Sequence, residues 1–325
     1  MKVAVLYQDH EPPAIGGLRK PMKPGGYRDS GADIAFCLRE HGVSVITPAE
    51  QPDLYTDLNW VFPDTVQGIH AALATGADTL WLNTVLYEGH PIEQFAGVHV
   101  VGQRPRDVAR YDDKFTVNAE LLKRGFPVIH SQIIHAGEAY TGAFPCMIKP
   151  IRGRGSQGVI RCGTPDAFAH ARDSLLAAKI YGDPLMAEPY LPGQEITISV
   201  FPDGTSLPIA ERFAQKDGVA PYNGDVPVVN NSRAVAEETD AQRTIRRACE
   251  QAVTALDLKG LVRVDCRAAA DGTYYMFDFN PKPNLTGAAR PHRINQNCLT
   301  MISAAAQGWT YFDLLNKMLQ TRWQL

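Results

Sequence analysis

Arg263-Val264-Asp265 and Asp278-Phe279-Asn280 lie on either side of an Ala270-Asp271-Gly272-Thr273 segment. Asp-Gly between two strand-like runs, here 261–267 and 274–280, is a strong hairpin signal. Side chains two apart on a strand share a face. Arg263 and Asp265 therefore point one way, and Val262, Val264 and Cys266 the other. On the return strand Asp278 and Asn280 share a face, with Tyr275, Phe277 and Phe279 expected on the apolar one. If the polar faces coincide, an arginine, two carboxylates and an amide converge above an apolar floor. Oxygen donors of this kind suit Mg²⁺ held by one or two carboxylates plus substrate phosphates. The arginine adds a positive charge for a phosphoryl or oxyanionic group. The pattern points to a nucleotide–metal site.

Two further stretches carry chemistry. Residues 149–159, Lys-Pro-Ile-Arg-Gly-Arg-Gly-Ser-Gln-Gly-Val, form a glycine-rich loop between two strand-like runs. Glycines let the backbone approach an anion, and successive N–H groups can cradle a phosphate. Lys149 stands at the foot of this loop. Alone the loop is weak, since it matches neither the Walker pattern nor GxGxxG, and glycine hairpins are common. Farther on, Glu188-Pro189 closes a strand-like run, and Glu195 follows seven residues later.

The elements that must position these groups alternate in the first hundred residues. Strand-like runs at 3–6, 43–46, 79–83 and 98–102 are interleaved with helical periodicity at 29–41 and 65–74, which implies a parallel sheet with crossover helices. The Pro- and Gly-rich segment 8–28 follows the first strand, where open α/β sheets bind ligands, though a plain surface connection accounts for it equally well. A second unit begins near Tyr111: Asp112 and Asp113 load the start of a helix running to Arg124, and Gly125 ends it. Strands at 146–150 and 159–162 flank the glycine loop, followed by a helix at 165–178. Further strands are expected at 185–188, 196–201 and 207–212, then an aperiodic segment at 216–231 that suits a mobile loop. An amphipathic helix at 237–256, the hairpin, and a largely helical stretch at 299–319 complete the chain. The fold class is α/β (α+β), divided into 1–110, an open-sheet domain; 111–184, a small central α+β unit; and 185–325, a C-terminal α+β unit.

With 325 residues, 45% hydrophobic and 21% charged, the chain has the composition of an ordinary soluble globular protein. A net charge of −3 and no basic run give no electrostatic reason to expect nucleic acid. No apolar run approaches the ~20 residues of a membrane span, and the N-terminus reads as a short strand, not a signal peptide. The six cysteines are scattered without metal spacing and read as reduced core thiols. A cytoplasmic enzyme is the expectation.

The order of these motifs resembles the ATP-grasp superfamily, and within it the D-alanine–D-alanine ligase branch, over about residues 111–290. The resemblance implies an ATP-grasp fold, with ATP between two small α+β units and Mg²⁺, two ions with Mn²⁺ able to substitute, between triphosphate and hairpin. It implies that Lys114 and Lys149 serve the phosphates and that Ser156 and Gly158 cover the β-phosphate. Glu188, the Pro189 carbonyl and the Leu191 N–H meet adenine, and Glu195 the ribose. Asp265, Asp278 and Asn280 would be the metal ligands, Arg263 the arginine at the tetrahedral intermediate, and Lys216 a lysine reaching the γ-phosphate from the closing loop. The implied activity is ligation of a carboxylate to an amine through an acyl phosphate, with amino-acid-like small molecules as substrates and a homodimer as a common assembly. A kinase on the same scaffold and a regulatory ATP-binding module are the other classes.

This chain departs from the ligase pattern in the substrate region. Asp278 replaces a glutamate, Gly155 replaces the first of a serine pair, Asn284 takes a glycine's place, and Ala288-Ala289-Arg290-Pro291-His292-Arg293 stands where a serine normally meets the second substrate. These changes argue against D-alanyl-D-alanine as the product. Arg290 is the expected clamp for a substrate carboxylate, against a purely structural arginine. Glu11, Arg28 and Tyr222 are further candidates for the substrate pocket, and His292 is a weaker one for acid–base work.

Overall fold

A computed structural model describes residues 1–15, 22–153, 155–213, 215–221 and 228–325. Three sheets follow one another along the chain. The first contains β1 (Lys2–Tyr7), β2 (Ser44–Val45), β3 (Phe62–Pro63), β4 (Thr79–Asn83) and β5 (His99–Val101). All of these pair in parallel, with β1 central and Val3 to Leu6 fully buried. A continuous apolar strand of this kind is what a sheet covered on both faces requires. Its crossover helices are α1 (Arg28–Glu40) and α2 (Val66–Ala74). Thr65 caps α2, its hydroxyl accepting from the Gly68 N–H at 3.1 Å.

The chain leaves this sheet through α3 (Pro105–Tyr111) and α4 (Lys114–Lys123). The helix expected to start at Asp112 and Asp113 and run to Arg124 is α4, and α3 before it was not anticipated. Asp113 caps α4 by accepting from the Thr116 N–H at 2.7 Å, and Gly125, at φ 82°, ends it. The second sheet, antiparallel throughout, contains β6 (Gln132–Ile134), β7 (Cys146–Pro150), β8 (Ile160–Cys162) and β9 (Leu185–Pro189) in the order β6-β9-β7-β8, with α5 (Pro165–Ala177) packed on it.

The third sheet is also antiparallel: β10 (Glu195–Val200), β11 (Ala210–Arg212), β12 (Ser232–Ala234), β13 (Val262–Ala268) and β14 (Tyr274–Asn280), in the order β12-β11-β10-β13-β14. Its apolar face packs against α6 (Asp240–Ala255), which opens with a capping box between Thr239 and Gln242. The chain ends with α7 (Leu299–Ala306), α8 (Tyr311–Gln320) and β15 (Trp323–Gln324). The helical stretch expected at 299–319 is broken at Gly308, φ 81°.

Two strands depart from the division into 1–110, 111–184 and 185–325. β9, placed by the sequence reading at the start of the last unit, pairs with β6 and β7 in the middle sheet. β15 pairs antiparallel with β5 and closes the edge of the first sheet. The core under α1 mixes Val3, Ile34 and Leu38 with Leu314, Leu315 and Met318 of α8. Strand partners are chosen by non-local burial, which local periodicity does not carry. The six cysteines are free and buried. Among the described residues no helix is long and apolar enough to cross a membrane.

Candidate nucleotide and metal site

β13 and β14 meet in a register that puts Arg263 opposite Asn280 and Asp265 opposite Asp278, so the two polar faces coincide. The turn between them is built as expected, with Gly272 at φ 85° and the Asp271 carboxylate accepting from the Thr273 N–H at 2.9 Å. The apolar face differs from the sequence reading. The register shifts after Asp265, pairing Cys266 with Met276 and leaving Phe277 as an extra residue. This bulge reverses the alternation: Tyr274, Met276 and Phe279 are buried, while Tyr275 and Phe277 are half-exposed and Phe277 lines a cavity. Bulges re-aim side chains in this way.

Charges on this hairpin are tightly paired. Arg263 meets Asp265 with a two-pronged contact, Nε to Oδ1 at 3.0 Å and Nη2 to Oδ2 at 3.1 Å. The Thr197 hydroxyl, on the neighbouring β10, donates to Asp265 Oδ1 at 2.6 Å. Lys114, the first residue of α4, reaches Asp278 Oδ1 at 2.7 Å, and its backbone N–H donates to the Ile151 carbonyl of the glycine loop at 3.2 Å. Burial opposes ionisation of Asp278, but the Lys114 and Lys149 charges outweigh it and hold the carboxyl below its ordinary range. Desolvation likewise disfavours charge on Lys114, and Asp278 more than compensates, raising its pKa.

Lys149 projects from β7 to Glu188 Oε1 at 2.6 Å and to the Phe277 carbonyl at 3.2 Å, joining the middle sheet to the hairpin. Burial pushes the Glu188 carboxyl upward despite Lys149. Its second oxygen, Oε2, is buried with no hydrogen-bond partner. An orphaned acceptor of this kind has room for an N–H donor from a ligand. Glu195 is also raised by burial; Arg212 and Arg267 stand 3.7 and 3.6 Å away, and Gln215 donates to it at 2.7 Å. In the glycine loop Gly155, Ser156 and Gly158 take φ of 57°, 69° and 71°. A Cβ on Gly158 would meet Pro150 and Tyr181 at 2.9 Å.

A cavity of about 650 Å³ lies between the middle and third sheets, within the range that holds a small-molecule ligand. Lys114, Lys149, Ser156, Glu188, Pro189, Leu191, Glu195, Arg263, Asp265, Asp278, Asn280 and Asn284 all line it. Among the described residues no three His, Cys, Asp or Glu side chains gather into a metal cluster. Asp265, Asp278 and Asn280 supply an all-oxygen set of two carboxylates and an amide. That set fits Mg²⁺ when ligand phosphates complete the shell, and leaves it incomplete otherwise.

Other expected residues lie elsewhere. Lys216 is exposed, at the start of a two-residue turn through Asp217 and Gly218 that closes by paired hydrogen bonds with Val219, so this part of the expected mobile segment is a tight hairpin. Glu11 is exposed and Arg28 is turned to Asp57 at 3.9 Å; neither lines the cavity. Tyr222 lies outside the described residues. Arg290 does not face the cavity: it is 0% exposed, donating to Asp33 at 2.8 Å and to the Leu54 and Asp29 carbonyls, with Asp57 2.8 Å away. The expected carboxylate clamp is a structural arginine, because burial next to α1 commits its donors to protein oxygens. His292 is exposed beside Tyr55. The sequence reading missed Arg267, although it shares a strand face with Arg263 and Asp265, and missed Thr197, Arg212, Lys23, Tyr27 and Lys282, whose roles depend on which strands and loops become neighbours.

Comparison with known proteins bears on the family and the fold. The family profile described as D-ala D-ala ligase C-terminus matches residues 118–320. The chain is 28% identical over 248 residues to a D-alanine–D-alanine ligase of Frankia casuarinae, covering 70% of this chain and 60% of that protein. To the ligase of Cupriavidus taiwanensis it is 24% identical over 274 residues, 79% and 80% of the two chains. The match spans about half the length of a Synechococcus relative, 51%. A crystal structure of the Bacillus anthracis D-alanine–D-alanine ligase complexed with ATP superposes with a TM-score of 0.70 at 18% identity, covering 99% of this chain and 97% of that one. The matched profile takes in well over half of the sequence, and the chain belongs to the D-alanine–D-alanine ligase C-terminal family.

Proposed function

We propose that this protein is an ATP-dependent carboxylate–amine ligase. The observation that carries the reading is the convergence of Arg263, Asp265, Asp278 and Asn280 with Lys114, Lys149 and the glycine loop on one cavity. A substrate carboxylate oxygen attacks the γ-phosphorus, giving an acyl phosphate and ADP; the amine nitrogen then attacks the carbonyl, loses a proton, and inorganic phosphate leaves. Lys114, Lys149 and the Ser156 loop bind and orient the phosphates, and Arg263 neutralises the oxyanion of the tetrahedral intermediate. Glu188, Pro189 and Leu191 hold the base and Glu195 the ribose; the unpartnered Glu188 oxygen supports an amino group there. Mg²⁺, two ions with Mn²⁺ able to replace them, would be held by Asp265, Asp278 and Asn280 and would neutralise charge on the phosphate oxygens. Positioning and charge neutralisation are what phosphoryl transfer asks of a protein.

The product we propose differs from D-alanyl-D-alanine, because Gly155, Asp278 and Asn284, which depart from the ligase pattern, all line the cavity. Phosphate release from ATP and Mg²⁺ with D- and L-amino acids, offered singly and in pairs, tests the reading. Release that depends on a pair is expected. ATP consumption that phosphorylates a stable alcohol, or binding without turnover, would overturn it in favour of a kinase or a binding module.

A further inference from the structure

Arg267 is buried, lines the cavity, and has no part in the nucleotide and metal assignments above. Its guanidinium is spread over four partners. Nη1 donates to the Gly218 carbonyl at 2.6 Å, Nη2 to Gln215 Oε1 at 2.5 Å and to the Tyr190 hydroxyl at 3.4 Å, and Nε to the Gly193 carbonyl at 3.3 Å. Tyr190 and Gly193 lie between β9 and β10, and Gln215 and Gly218 between β11 and β12. One side chain on β13 therefore fastens both loops to the strand that carries Arg263 and Asp265.

The bond to Gln215 fixes an orientation as well as a position. A guanidinium only donates, so it takes the amide oxygen and turns the amide nitrogen the other way. That nitrogen donates to Glu195 Oε2 at 2.7 Å. Arg267 itself stops 3.6 Å from the same oxygen, and Arg212 stands 3.7 Å from Oε1, both beyond hydrogen-bond length. A neutral amide thus aims the Glu195 carboxylate while two charges offset its burial. This leaves acceptor sites for hydroxyl donors, since a carboxylate has about four. The wall around this relay is closely packed. Gly218, at φ 78°, has the Tyr190 hydroxyl oxygen 2.6 Å from where a Cβ would fall. The Arg267 guanidinium lies 5.1 Å from the Tyr190 ring centroid, and that of Arg161, on β8, 4.5 Å from it. The ring therefore joins the middle sheet to the third.

We propose that Arg267 is a positioning residue that builds the sugar end of the nucleotide pocket before ATP arrives. Through Gln215 it aims the Glu195 carboxylate at the ribose hydroxyls, and through Gly218 it holds the 216–219 turn as part of the cavity wall. A pocket built in advance loses less freedom on binding. The inference rests on the ligase reading and gives its nucleotide site selectivity for a ribonucleotide over a deoxyribonucleotide. The test measures calorimetric binding of ATP, 2′-deoxy-ATP and 3′-deoxy-ATP with Mg²⁺, and phosphate release with amino-acid pairs. Both are measured on the parent, Arg267→Met, Arg267→Lys and Gln215→Leu.

The parent is expected to prefer ATP to at least one deoxynucleotide by roughly tenfold or more, the scale of a hydrogen bond to a charged group. Arg267→Met should weaken ATP far more than the deoxynucleotides, so that the preference collapses, and the loss should fall on the KM for ATP more than on kcat. Arg267→Lys keeps the charge but not the fork that spans Gln215 and Gly218, so its preference should fall as well. Gln215→Leu removes an amide from a loop instead of a charge from a strand, and reads the same relay even where Arg267→Met does not fold. Equal binding of the three nucleotides by the parent, or a preference that survives in Arg267→Lys and Gln215→Leu, would overturn the inference; pair-dependent phosphate release beside that result leaves the ligase standing. A preference lost in both variants, with no phosphate release under any pair, sinks the ligase and leaves the relay. Failure of all three nucleotides to bind overturns both.

Discussion

Asp278 connects three parts of the site: it faces Asp265 across the hairpin, takes the Lys114 ammonium, and belongs to the proposed metal set. Asp278→Ala is expected to reduce ATP-dependent phosphate release to background while circular dichroism stays that of the parent; near-normal turnover would remove the metal assignment. Its protonation has a signed consequence. A carboxyl held low in the folded state stabilises the protein fully above its unfolded value, about 3.9, and loses that stabilisation as pH falls through the lower folded value. Urea titrations should therefore show a gap between parent and Asp278→Asn that is flat from neutrality to about pH 5 and shrinks below about pH 4. Arg263→Lys keeps the charge but not the fork that grips Asp265. Its kcat should fall on the order of 10²-fold, as when an oxyanion donor is removed, with little change in the KM for ATP.

Among the elements, two glycines separate backbone strain from steric conflict. Gly272 turns the β13–β14 hairpin at φ 85° with nothing near its absent Cβ. Gly272→Ala is expected to cost only the left-handed backbone penalty, about 1–2 kcal/mol, and to leave turnover unchanged. Gly26 adopts φ 57°, and a Cβ there would fall 1.7 Å from the Gln8 carbonyl oxygen. Gly26→Ala must displace the strand end or the loop, so its melting temperature should drop well below that of Gly272→Ala and substrate KM should rise as Lys23 and Tyr27, which line the cavity, move. The bulge at Phe277 belongs to the same scale. It lets Tyr274 and Met276 face α6 while the next turn of strand presents Asp278 and Asn280 to the cavity.

Across the whole molecule, the loop after β14 is tied to α1 by a charge cluster. Arg290 and Arg293 both meet Asp33, which is fully buried; desolvation raises its carboxyl, against the pull of the two arginines. Removing one member of a buried pair strands the other. Arg290→Ala is therefore expected to destabilise by about 3–5 kcal/mol in chemical denaturation. Adding Asp33→Asn should recover part of that loss. A variant of unchanged stability with a selectively raised substrate KM would return Arg290 to the substrate pocket. Pairing of β15 with β5 works in the same direction, since the end of the chain closes the first sheet.

The sequence by itself determined the β13–β14 hairpin with its shared polar face, the parallel first sheet and the glycine loop. Each of these is written in short-range physics: an Asp-Gly turn, a two-residue alternation, a run of buried apolar residues, glycines where φ is positive. The convergence of Lys114 and Lys149 with Asp278 was legible only as an ordered set, because a lone lysine on a helix or strand has no local mark. Tertiary structure alone decided that β9 joins the middle sheet, that Phe277 is a bulge, and that Arg290 is consumed by Asp33 257 residues away. It alone brought Arg267 and Gln215 to the Glu195 carboxylate. These outcomes depend on which distant surfaces exclude water together, and that competition leaves no periodic trace in the chain.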